Sequence, residues 1–481
     1  MLTRTSTQSL TTQLADRLAE RIRTRLLPPG ARLPSVRECA RQQGVSPYTV
    51  VAAYDQLLAQ GLVEARRQRG FYVRDSAPVQ DARSANSAHA GGASGMPAAM
   101  AVQMMASRVP ADASSLIRSM FHRPSDKPQP GMGVFPPDWM ASTFMPTAVR
   151  RMTSTAVLQE LSLQYGEPAG DGSLRRSLSQ KLMGINVPAS PDQIVTTIGA
   201  THALDIVSRT LLRAGDPVMV EEPGWALEFA RLEALGMRIL PVPRRADGPD
   251  LDVMAQYCRL HQPKLFVSVS VLHNPTGYSL TPGSAHRVLQ LANEHDFHIV
   301  EDDTYSHLAP EHATRLSALD GLQRTIYVSG FAKIIAPNWR IGFLAAPPAL
   351  KERLLETKLL ATLTSPTLFE RALSWCIDQG QLRRHSERVR IRLDGARGRA
   401  VKLAMSHGCT FASEPAGLFG WVDTGVDTDA LTQRMLDQGY LLAPGSLFHA
   451  RRPPSTLMRI NFATSQDATF WKVFSKVRSE L

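Results

Sequence analysis

The sequence predicts a multidomain fold with a small, mainly α N-terminal domain that ends in a β-wing and a larger α/β C-terminal domain. Residues 1–75 contain amphipathic helix patterns followed by two short strand patterns. Residues 76–114 are small and nearly uncharged, and residues 115–481 contain strand and helix patterns. At 481 residues the chain is longer than one ordinary hydrophobic core supports, so division into domains is expected.

The N-terminal helices are predicted from side-chain spacing and caps. Leu10–Leu26 carries an aliphatic residue at every fourth position, which indicates an amphipathic helix. A second helix is expected to begin after Ser35, the first residue of a capping-box pattern, and to end at Gly44. A third is expected to begin after Ser46, with Pro47 at its first position. Two short helices joined by a tight turn predict a helix-turn-helix.

A candidate wing follows the third helix. Residues 62–65 and 71–73 have the composition of short strands, and the arginine-rich stretch 66–70 lies between them. Residues 1–75 contain twelve arginines, no lysine and six acidic residues. Such a basic domain suits the phosphate backbone of a nucleic acid, whereas a basic solvated surface is the alternative.

The N-terminal domain resembles the GntR-type winged helix-turn-helix over about Gln8–Val73. The patterns Leu-Pro-Ser-x-Arg, Gly-Val-Ser-x-x-Thr-Val and Gly-Phe-Tyr-Val are all present. The resemblance implies binding to double-stranded DNA, with the third helix in the major groove and the wing in the minor groove. For Arg66 and Arg67, phosphate contact and simple solvent exposure both stay open. The residues that the resemblance assigns to DNA are Arg37, Ser46, Tyr48, Thr49, Arg66, Arg67, Arg69 and Gly70.

Chemistry-bearing residues in the larger domain follow strand patterns. Asn274, Asp302 and Lys333 each come after an apolar, strand-like run. Open α/β sheets bind their ligands at such strand ends. Lys333 also lies seven residues before Arg340. This spacing suits a lysine amine that condenses with an aldehyde and an arginine that holds a phosphate. For this pair alone, a surface lysine and a solvated arginine are the alternative.

From about Pro130 to the C-terminus, the chain resembles the fold-type I pyridoxal-phosphate family, the aspartate-aminotransferase-like enzymes. Five separated motifs keep the family's order, among them His273–Gly277, Glu301–Tyr305 and Ser329–Arg340. The resemblance implies pyridoxal 5'-phosphate as cofactor, a large domain with a parallel-rich sheet, and a smaller α+β domain. It also implies that Lys333 is the catalytic lysine, which forms a Schiff base with the cofactor.

Further roles are carried over from this resemblance. Asp302 would face the pyridine nitrogen, Asn274 and Tyr305 would bind the phenolate oxygen, and Trp225 would stack on the ring. Arg459 would hold the carboxylate of a substrate or effector. The residues assigned to the phosphate are Ala200, Thr201, Arg340, Ser329 and Tyr165, the last reaching the neighbouring subunit.

The lysine motif departs from the family pattern. The family usually carries hydroxyl residues three positions and one position before the lysine, where this chain has Gly330 and Ala332. Ser329, one position away, is the candidate to compensate. We expect weaker phosphate binding, which would suit a sensor of cofactor concentration.

The whole chain resembles the MocR group of bacterial transcriptional regulators. The expected domains are 1–75 for DNA binding, 76–114 as a flexible linker, and 115–481 as the aminotransferase-like part. Within the last, the large domain spans about 190–362 and the small domain mainly 363–481. The resemblance implies a head-to-tail, domain-swapped homodimer whose DNA binding responds to pyridoxal phosphate, alone or together with an amino compound.

Two other functions stay open at this point. One is a working aminotransferase that carries a DNA-binding domain, and the other is a dimerisation and ligand-binding platform without Schiff-base chemistry. The four cysteines match no metal-ligand spacing, so no metal is expected. No run of eighteen apolar residues or signal-peptide pattern is present, so we expect a cytoplasmic protein that does not contact a membrane.

Overall fold

The structure is a computed structural model that describes residues 9–23, 26–66, 69–74, 125–142 and 144–481. The chain divides into two compact units, Met1–Ser125 and Asp126–Leu481. We call them the N-terminal unit and the C-terminal unit. The predicted linker 76–114 and the predicted DNA contact Arg67 lie outside the described residues.

The N-terminal unit has the predicted winged helix-turn-helix fold. Ser35 and Ser46 cap the second and third helices, since their hydroxyls accept the backbone N–H groups of Glu38 and Thr49 at 3.3 and 3.1 Å. Gly44, with φ of 64°, makes the left-handed turn between these helices. The elements are α1 Leu10–Arg23, α2 Val36–Gln43, α3 Pro47–Ala59, β1 Val63–Arg66 and β2 Gly70–Val73, and the two strands pair antiparallel.

One hydrophobic core joins the described helices and strands of the N-terminal unit. It contains the leucine side of α1, the inner side of α3 and both strands. Leu14, Val50, Tyr54 and Leu57 are each almost completely buried. The Tyr54 hydroxyl donates to the Pro34 carbonyl at 2.8 Å, which ties the third helix to the chain that leads into the second.

The C-terminal unit contains two sheets and the helices that cover them. Its strands are β3 Ile194–Thr197, β4 Pro217–Glu222, β5 Arg238–Pro243, β6 Leu265–Ser268, β7 His298–Asp302, β8 Thr325–Gly330, β9 Gly342–Ala345, β10 Thr410–Phe411, β11 Phe419–Asp423, β12 Ala443–Pro444 and β13 Leu457–Asn461. Its helices are α4 Pro137–Met140, α5 Phe144–Met152, α6 Thr155–Ser162, α7 Gly172–Met183, α8 Ala200–Leu211, α9 Ala226–Ala234, α10 Leu251–His261, α11 Pro282–His295, α12 Leu316–Asp320, α13 Pro348–Thr362, α14 Thr367–Asp378, α15 Gln381–Ser406, α16 Thr428–Asp437 and α17 Ala468–Arg478.

The large sheet has seven strands in the order β3-β9-β8-β7-β6-β4-β5. Neighbours from β8 to β5 run parallel, and β9 pairs antiparallel with both β3 and β8. Helices cover both faces, so successive residues such as Val218 and Met219 enter two different hydrophobic clusters. This parallel-rich sheet confirms the predicted fold class and brings the carboxyl ends of β6, β7 and β8 to one edge.

The smaller sheet is antiparallel, with the strand order β10-β11-β13-β12. Arg459 lies in β13 opposite Trp421 of β11. The segment 129–134, at the start of the C-terminal unit, attaches beside it, because the Asn461 N–H donates to the Pro130 carbonyl at 2.9 Å. Within the described ranges, no helix is long and apolar enough to cross a membrane.

Candidate cofactor site and DNA-binding surface

The polar groups of the candidate cofactor site meet at the carboxyl edge of the large sheet. Asp302 ends β7, while Asn274 and Lys333 follow the neighbouring strands β6 and β8. Parallel pairing places these strand ends side by side, with Asp302 opposite Val328. Three motifs separated by about thirty residues each therefore converge, as the position of ligands in open α/β sheets leads one to expect.

Lys333 is partly buried, and its Nζ donates to the Gly133 carbonyl at 2.8 Å. Burial lowers the pKa of this lysine to about 8, and the positive charge of Arg459 lowers it further, whereas the charge of Asp302 opposes the shift. An amine with this pKa is partly unprotonated near neutral pH. It can therefore act as a nucleophile or accept a proton.

Asp302 carries a carboxylate without a cation in hydrogen-bond contact among the described residues. Its Oδ1 accepts the Thr304 N–H at 3.1 Å and also the Thr304 hydroxyl. Burial raises the pKa of Asp302 to about 6. The adjacent Asp303 differs, since it binds Arg315 Nε at 2.6 Å and the Tyr327 hydroxyl at 2.9 Å in the core. Asp303 is therefore structural, and Asp302 is the carboxylate that suits a protonated ring nitrogen.

Arg459 is a buried cation that lacks a carboxylate partner among the described residues. It is 1 % exposed. Its Nη1 donates to Asn274 Oδ1 at 3.1 Å and its Nη2 to the Gly131 carbonyl at 2.7 Å. Its buried Nε has no hydrogen-bond partner in the described part of the chain. Burial lowers the pKa of Arg459 to about 10, so an arriving anion would relieve an unfavourable charge.

Aromatic rings surround the Arg459 guanidinium. Its Cζ lies 4.3 Å from the ring centre of Phe419, 5.2 Å from that of Phe448 and 5.3 Å from that of Trp225. These rings exclude water and attract the cation. Trp225 is half-buried, and its ring lies beside the arginine.

Asn274 and Tyr305 connect the arginine to the lysine side of the site. Asn274 lies beside the Tyr305 hydroxyl, and its Oδ1 accepts a hydrogen bond from Arg459. Burial raises the pKa of Tyr305, so the phenol stays protonated and can donate to an oxygen anion. The pair can hold a phenolate oxygen in the space next to Lys333.

The start of α8 and Arg340 form a corner whose groups suit an anion. Gly199, which precedes the helix, has φ of 87° and contacts Arg340 so closely that a Cβ there would lie 2.6 Å from its Nη2. Arg340 Nη2 also donates to the Ile198 carbonyl at 3.0 Å. The first N–H groups of α8, at Ala200 and Thr201, have no acceptor within the helix and carry its positive dipole end.

Ser329 does not join this corner, which corrects the expectation that it compensates for the missing hydroxyls. Its side chain is buried, and its Oγ donates to the Asp303 carbonyl at 2.9 Å. A hydroxyl committed to that carbonyl does not donate to a phosphate. Gly330 is the position that faces the corner, because a Cβ there would lie 3.3 Å from the Ala200 nitrogen.

The glycines of the segment 129–134 are site residues that the sequence did not reveal. Gly131 and Gly133 supply the carbonyls that bind Arg459 and Lys333. A Cβ on Gly133 would lie 3.5 Å from Lys333 Nζ and 3.9 Å from Arg459 Nη2, so this glycine separates the lysine from the arginine. Two glycines within three residues were the available signal. Tyr165, by contrast, is 83 % exposed in the single chain.

The predicted DNA-binding residues occupy the outer surface of the N-terminal unit. Tyr48, at the start of α3, is 82 % exposed, and Arg37 is also exposed. Thr49 is partly buried, and its Oγ1 lies 2.8 Å from the Ser46 hydroxyl that caps the helix. Ser46 therefore has a structural role in addition to any contact with DNA.

In the described part of the wing, not every arginine is free of an acidic partner. Arg66 pairs with Glu64 at 2.7 Å and lies 4.4 Å from the ring centre of Tyr72. Arg69 is exposed beside Gly70, whose φ is 99°. Arg32, which sequence reasoning missed, brings its Nε within 3.5 Å of where a Gly70 Cβ would lie. It reaches the wing through a backbone bridge to Tyr72.

Comparisons with known proteins agree with both halves of the chain. Residues 133–476 match the family model for aminotransferase class I and II, and residues 10–73 match that for bacterial regulatory proteins of the gntR family. The HTH-type transcriptional regulator YisV of Bacillus subtilis is 25% identical, covering 91% of this chain and 89% of the relative. The probable rhizopine catabolism regulatory protein MocR of Rhizobium meliloti is 28% identical, covering 97% and 92%.

The C-terminal unit is also similar to solved aminotransferases. The α-aminoadipate aminotransferase LysN of Thermus thermophilus, complexed with N-(5'-phosphopyridoxyl)-L-leucine, superposes with a TM-score of 0.69. It is 23% identical, and the match covers 76% of this chain and 94% of that chain. The chain therefore belongs to the aminotransferase class I and II family and, with its GntR-type N-terminal domain, has the architecture of the MocR-type transcriptional regulators.

Proposed function

We propose that this regulator binds pyridoxal 5'-phosphate at Lys333 and responds to the cofactor, alone or together with a carboxylate-bearing amino compound. The observation that carries the proposal is that three ionisable groups with shifted pKa values meet in one site. Arg459 and Asp302 both act on the charge of Lys333. All three groups have a pKa displaced towards the neutral form. A ligand with a phosphate, a ring nitrogen and a carboxylate would match this arrangement.

The residues fit the cofactor at each of its functional groups. The corner formed by Gly199 and Arg340 accommodates an anion, since a Cβ at Gly199 would fill the space that the guanidinium uses. Asp302 offers an uncompensated carboxylate to a ring nitrogen. Asn274 and Tyr305 offer hydrogen bonds to the ring oxygen, and the Lys333 amine lies on the same sheet edge.

Each residue then has a defined task. When bound, pyridoxal phosphate supplies an aldehyde carbon that reacts with an amine and a pyridine ring that withdraws electrons. Lys333 would provide the amine and move a proton at Nζ, and Asp302 would hold a proton on the ring nitrogen. Arg459 would orient a carboxylate with two parallel hydrogen bonds, while its aromatic neighbours exclude water.

The cofactor proposal can be tested by chemical labelling. Protein incubated with pyridoxal phosphate and then reduced with borohydride should carry the pyridoxyl group on Lys333. Lys358 is a matched internal control, because it is also buried and burial likewise lowers its pKa to about 8. Its Nζ donates to the Pro168 carbonyl at 2.6 Å. Labelling of Lys358 instead of Lys333 would contradict the proposal, as would equal labelling of wild type and Lys333→Ala.

The regulatory proposal needs a DNA measurement. Fluorescence anisotropy of DNA from the region upstream of the protein's own gene should differ between cofactor-loaded and cofactor-stripped protein at one fixed salt concentration. Random DNA of equal length is the control. Equal affinities of the loaded and stripped forms would refute cofactor sensing, and equal affinities for both DNAs would refute promoter-specific binding at this region.

Aminotransferase activity is a second candidate, favoured by the lysine that is partly unprotonated near neutral pH beside Arg459. A complete cycle must convert many equivalents of an amino acid and a 2-oxo acid per protein. Formation of a single equivalent of product, with no further turnover when the oxo acid is added, would show that the regulator lacks aminotransferase activity. Sustained turnover that Lys333→Ala abolishes would establish it.

We further infer a head-to-tail, domain-swapped homodimer in the cytoplasm. The support is the exposure of Tyr165, which would reach the phosphate of the neighbouring subunit instead of the site in its own chain. Mixed dimers of Tyr165→Ala and Lys333→Ala chains provide the test. They should contain one intact site and bind about half the cofactor of wild type if the tyrosine acts across the interface. No recovery on mixing would contradict the inference.

A further inference from the structure

We propose that the long helix α15 of the C-terminal unit is a second DNA-contacting surface, one that binds the phosphate backbone without reading sequence. The helix spans Gln381–Ser406 and contains eight basic and two acidic residues. Residues 1–75 have the same excess of six positive charges. Since the whole chain has a net charge of +11, these two segments account for it and the remainder is close to neutral.

Five of the eight basic residues of α15 form one exposed stripe. An α-helix has 3.6 residues per turn, so positions separated by three, four, seven or eight residues share one side. At 1.5 Å per residue, the stripe is about 27 Å long. The buried residues of the helix, such as Leu382, Val389 and Leu393, occupy a different side. The exposed residues of the stripe are Arg384, Arg388, Arg392, Arg399 and Lys402.

Few carboxylates neutralise this stripe. Arg384 donates to the Gln379 carbonyl at 2.8 Å, and Arg399 Nε donates to the Gln466 side-chain oxygen at 3.0 Å. Arg388 lies 2.8 Å from His385 Nδ1, which is likewise a neutral contact when that imidazole is unprotonated. Within the described ranges, Arg392 is the member of the stripe with an ion pair, to Asp138 at 2.8 Å. The other four members of the stripe form no ion pair in the described part of the chain.

The middle of the stripe also has a position without a side chain. Gly395 lies between Arg392 and Arg399 on the same side of the helix and is exposed. A glycine within a helix costs about 1 kcal/mol relative to alanine. Neither a left-handed conformation nor a backbone contact requires it here, because the nearest atom to a Cβ would be the Arg399 guanidinium at 3.5 Å. A position without a side chain allows the close approach of a polymer backbone.

Duplex DNA is the partner that the charge distribution favours. The same chain carries a GntR-type domain, so a bound duplex is present at a high effective concentration for any other surface of the protein. B-DNA carries one negative charge per about 1.7 Å, and a stripe of about 27 Å matches roughly eight base pairs. The helix contains no exposed aromatic side chain for stacking on bases, which favours backbone contact over base recognition.

The test compares two triple variants of the full-length protein. Arg384→Gln, Arg388→Gln and Arg399→Gln together remove three charges from the stripe. Arg213→Gln, Arg259→Gln and Arg287→Gln remove the same number of exposed charges elsewhere in the unit and serve as the matched control. The probe is a random-sequence duplex of about 60 base pairs, titrated by anisotropy between about 50 and 200 mM salt.

The stripe variant should lower the slope of log affinity against log salt by about two to three, since each lost phosphate contact removes roughly 0.9. Its affinity at about 100 mM salt should fall by at least ~10-fold. The control variant should retain the wild-type slope to within about one unit. Equal circular dichroism spectra and melting temperatures would show that both variants keep the fold.

Identical slopes in the two triple variants would overturn the proposal. So would an unchanged DNA affinity accompanied by weaker binding of polyglutamate, which would assign the stripe to an acidic protein partner. Random DNA and cofactor-free protein are used throughout. Failure of cofactor sensing or of operator recognition would therefore leave the test of the α15 stripe unaffected. Failure of the stripe proposal can thus be distinguished from failure of the proposed function.

Discussion

Asp302 provides the most quantitative prediction, because its carboxylate is desolvated without a bound cation. We expect Asp302→Asn to stabilise the cofactor-free C-terminal unit. The pKa rises from 3.8 to about 6 on folding, which corresponds to about 3 kcal/mol against the folded state at pH 7. This is an upper value, since the side chain is only partly buried. A raised carboxyl pKa penalises folding above the unfolded value of 3.8, and the penalty is complete only above the folded value of about 6. At pH 5 it is therefore smaller, about 1.5 kcal/mol.

Urea unfolding of cofactor-stripped protein can measure this effect. All six tryptophans lie between residues 139 and 471. Their fluorescence therefore reports on the C-terminal unit and not on the N-terminal one. With an m-value of about 3 kcal/mol/M, the midpoint of the asparagine variant should rise by up to about 1 M at pH 7. At pH 5 the rise should be about half as large.

Asp303→Asn is the matched control, and we expect the opposite sign. Asp303 forms a buried ion pair with Arg315 and accepts the Tyr327 hydroxyl. Removing its charge leaves the buried Arg315 guanidinium without its carboxylate partner, which costs about 3–5 kcal/mol. The reasoning would be refuted if Asp302→Asn failed to stabilise the protein at pH 7, or if its gain were as large at pH 5.

Three further predictions concern the site and the wing. Arg459→Lys should weaken binding of a carboxylate effector by about 10–100-fold in calorimetry, because an ammonium cannot form the two parallel hydrogen bonds. Gly133→Ala should retain cofactor absorbance but lower amino-acid affinity, since its Cβ would lie 3.5 Å from Lys333 Nζ and 3.9 Å from Arg459 Nη2. Glu64→Gln should raise anisotropy-measured affinity for random DNA and steepen the salt slope by up to about one unit, because it releases Arg66.

The convergence of Asn274, Asp302 and Lys333 follows from information that is local in the sequence. Each residue comes after an apolar run of strand length, and parallel strands bring their carboxyl ends to one edge. The helix caps at Ser35 and Ser46 were predictable for the same reason, since a cap acts on a backbone group three residues away. Local patterns therefore determined most of the fold and the lysine side of the site.

The contacts of the segment 129–134 could not be predicted in this way. Gly133 contacts Lys333 across 200 residues, and Gly131 contacts Arg459 across 328 residues, both through backbone carbonyls. Every residue has a carbonyl, so no side-chain pattern marks the ones that bind. The expectation that Ser329 binds the phosphate was not met, for another reason. All six residues of β8 are buried, and without polar alternation the sequence does not indicate which side each residue faces.

The shifted pKa values of the site favour ligand binding, but they do not by themselves make the protein a sensor. Lys333, Asp302 and Arg459 are each less stable in their charged forms than in water, so a ligand that supplies opposite charges stabilises the C-terminal unit. DNA affinity changes only if the ligand binds two arrangements of the protein unequally. A cofactor that binds both equally leaves DNA affinity unchanged, however tightly it is held. Cofactor affinity and its effect on DNA binding must therefore be measured separately. A variant such as Asp302→Asn can weaken cofactor binding without altering the ratio of the cofactor's affinities for the two arrangements, and that ratio sets the effect on DNA binding.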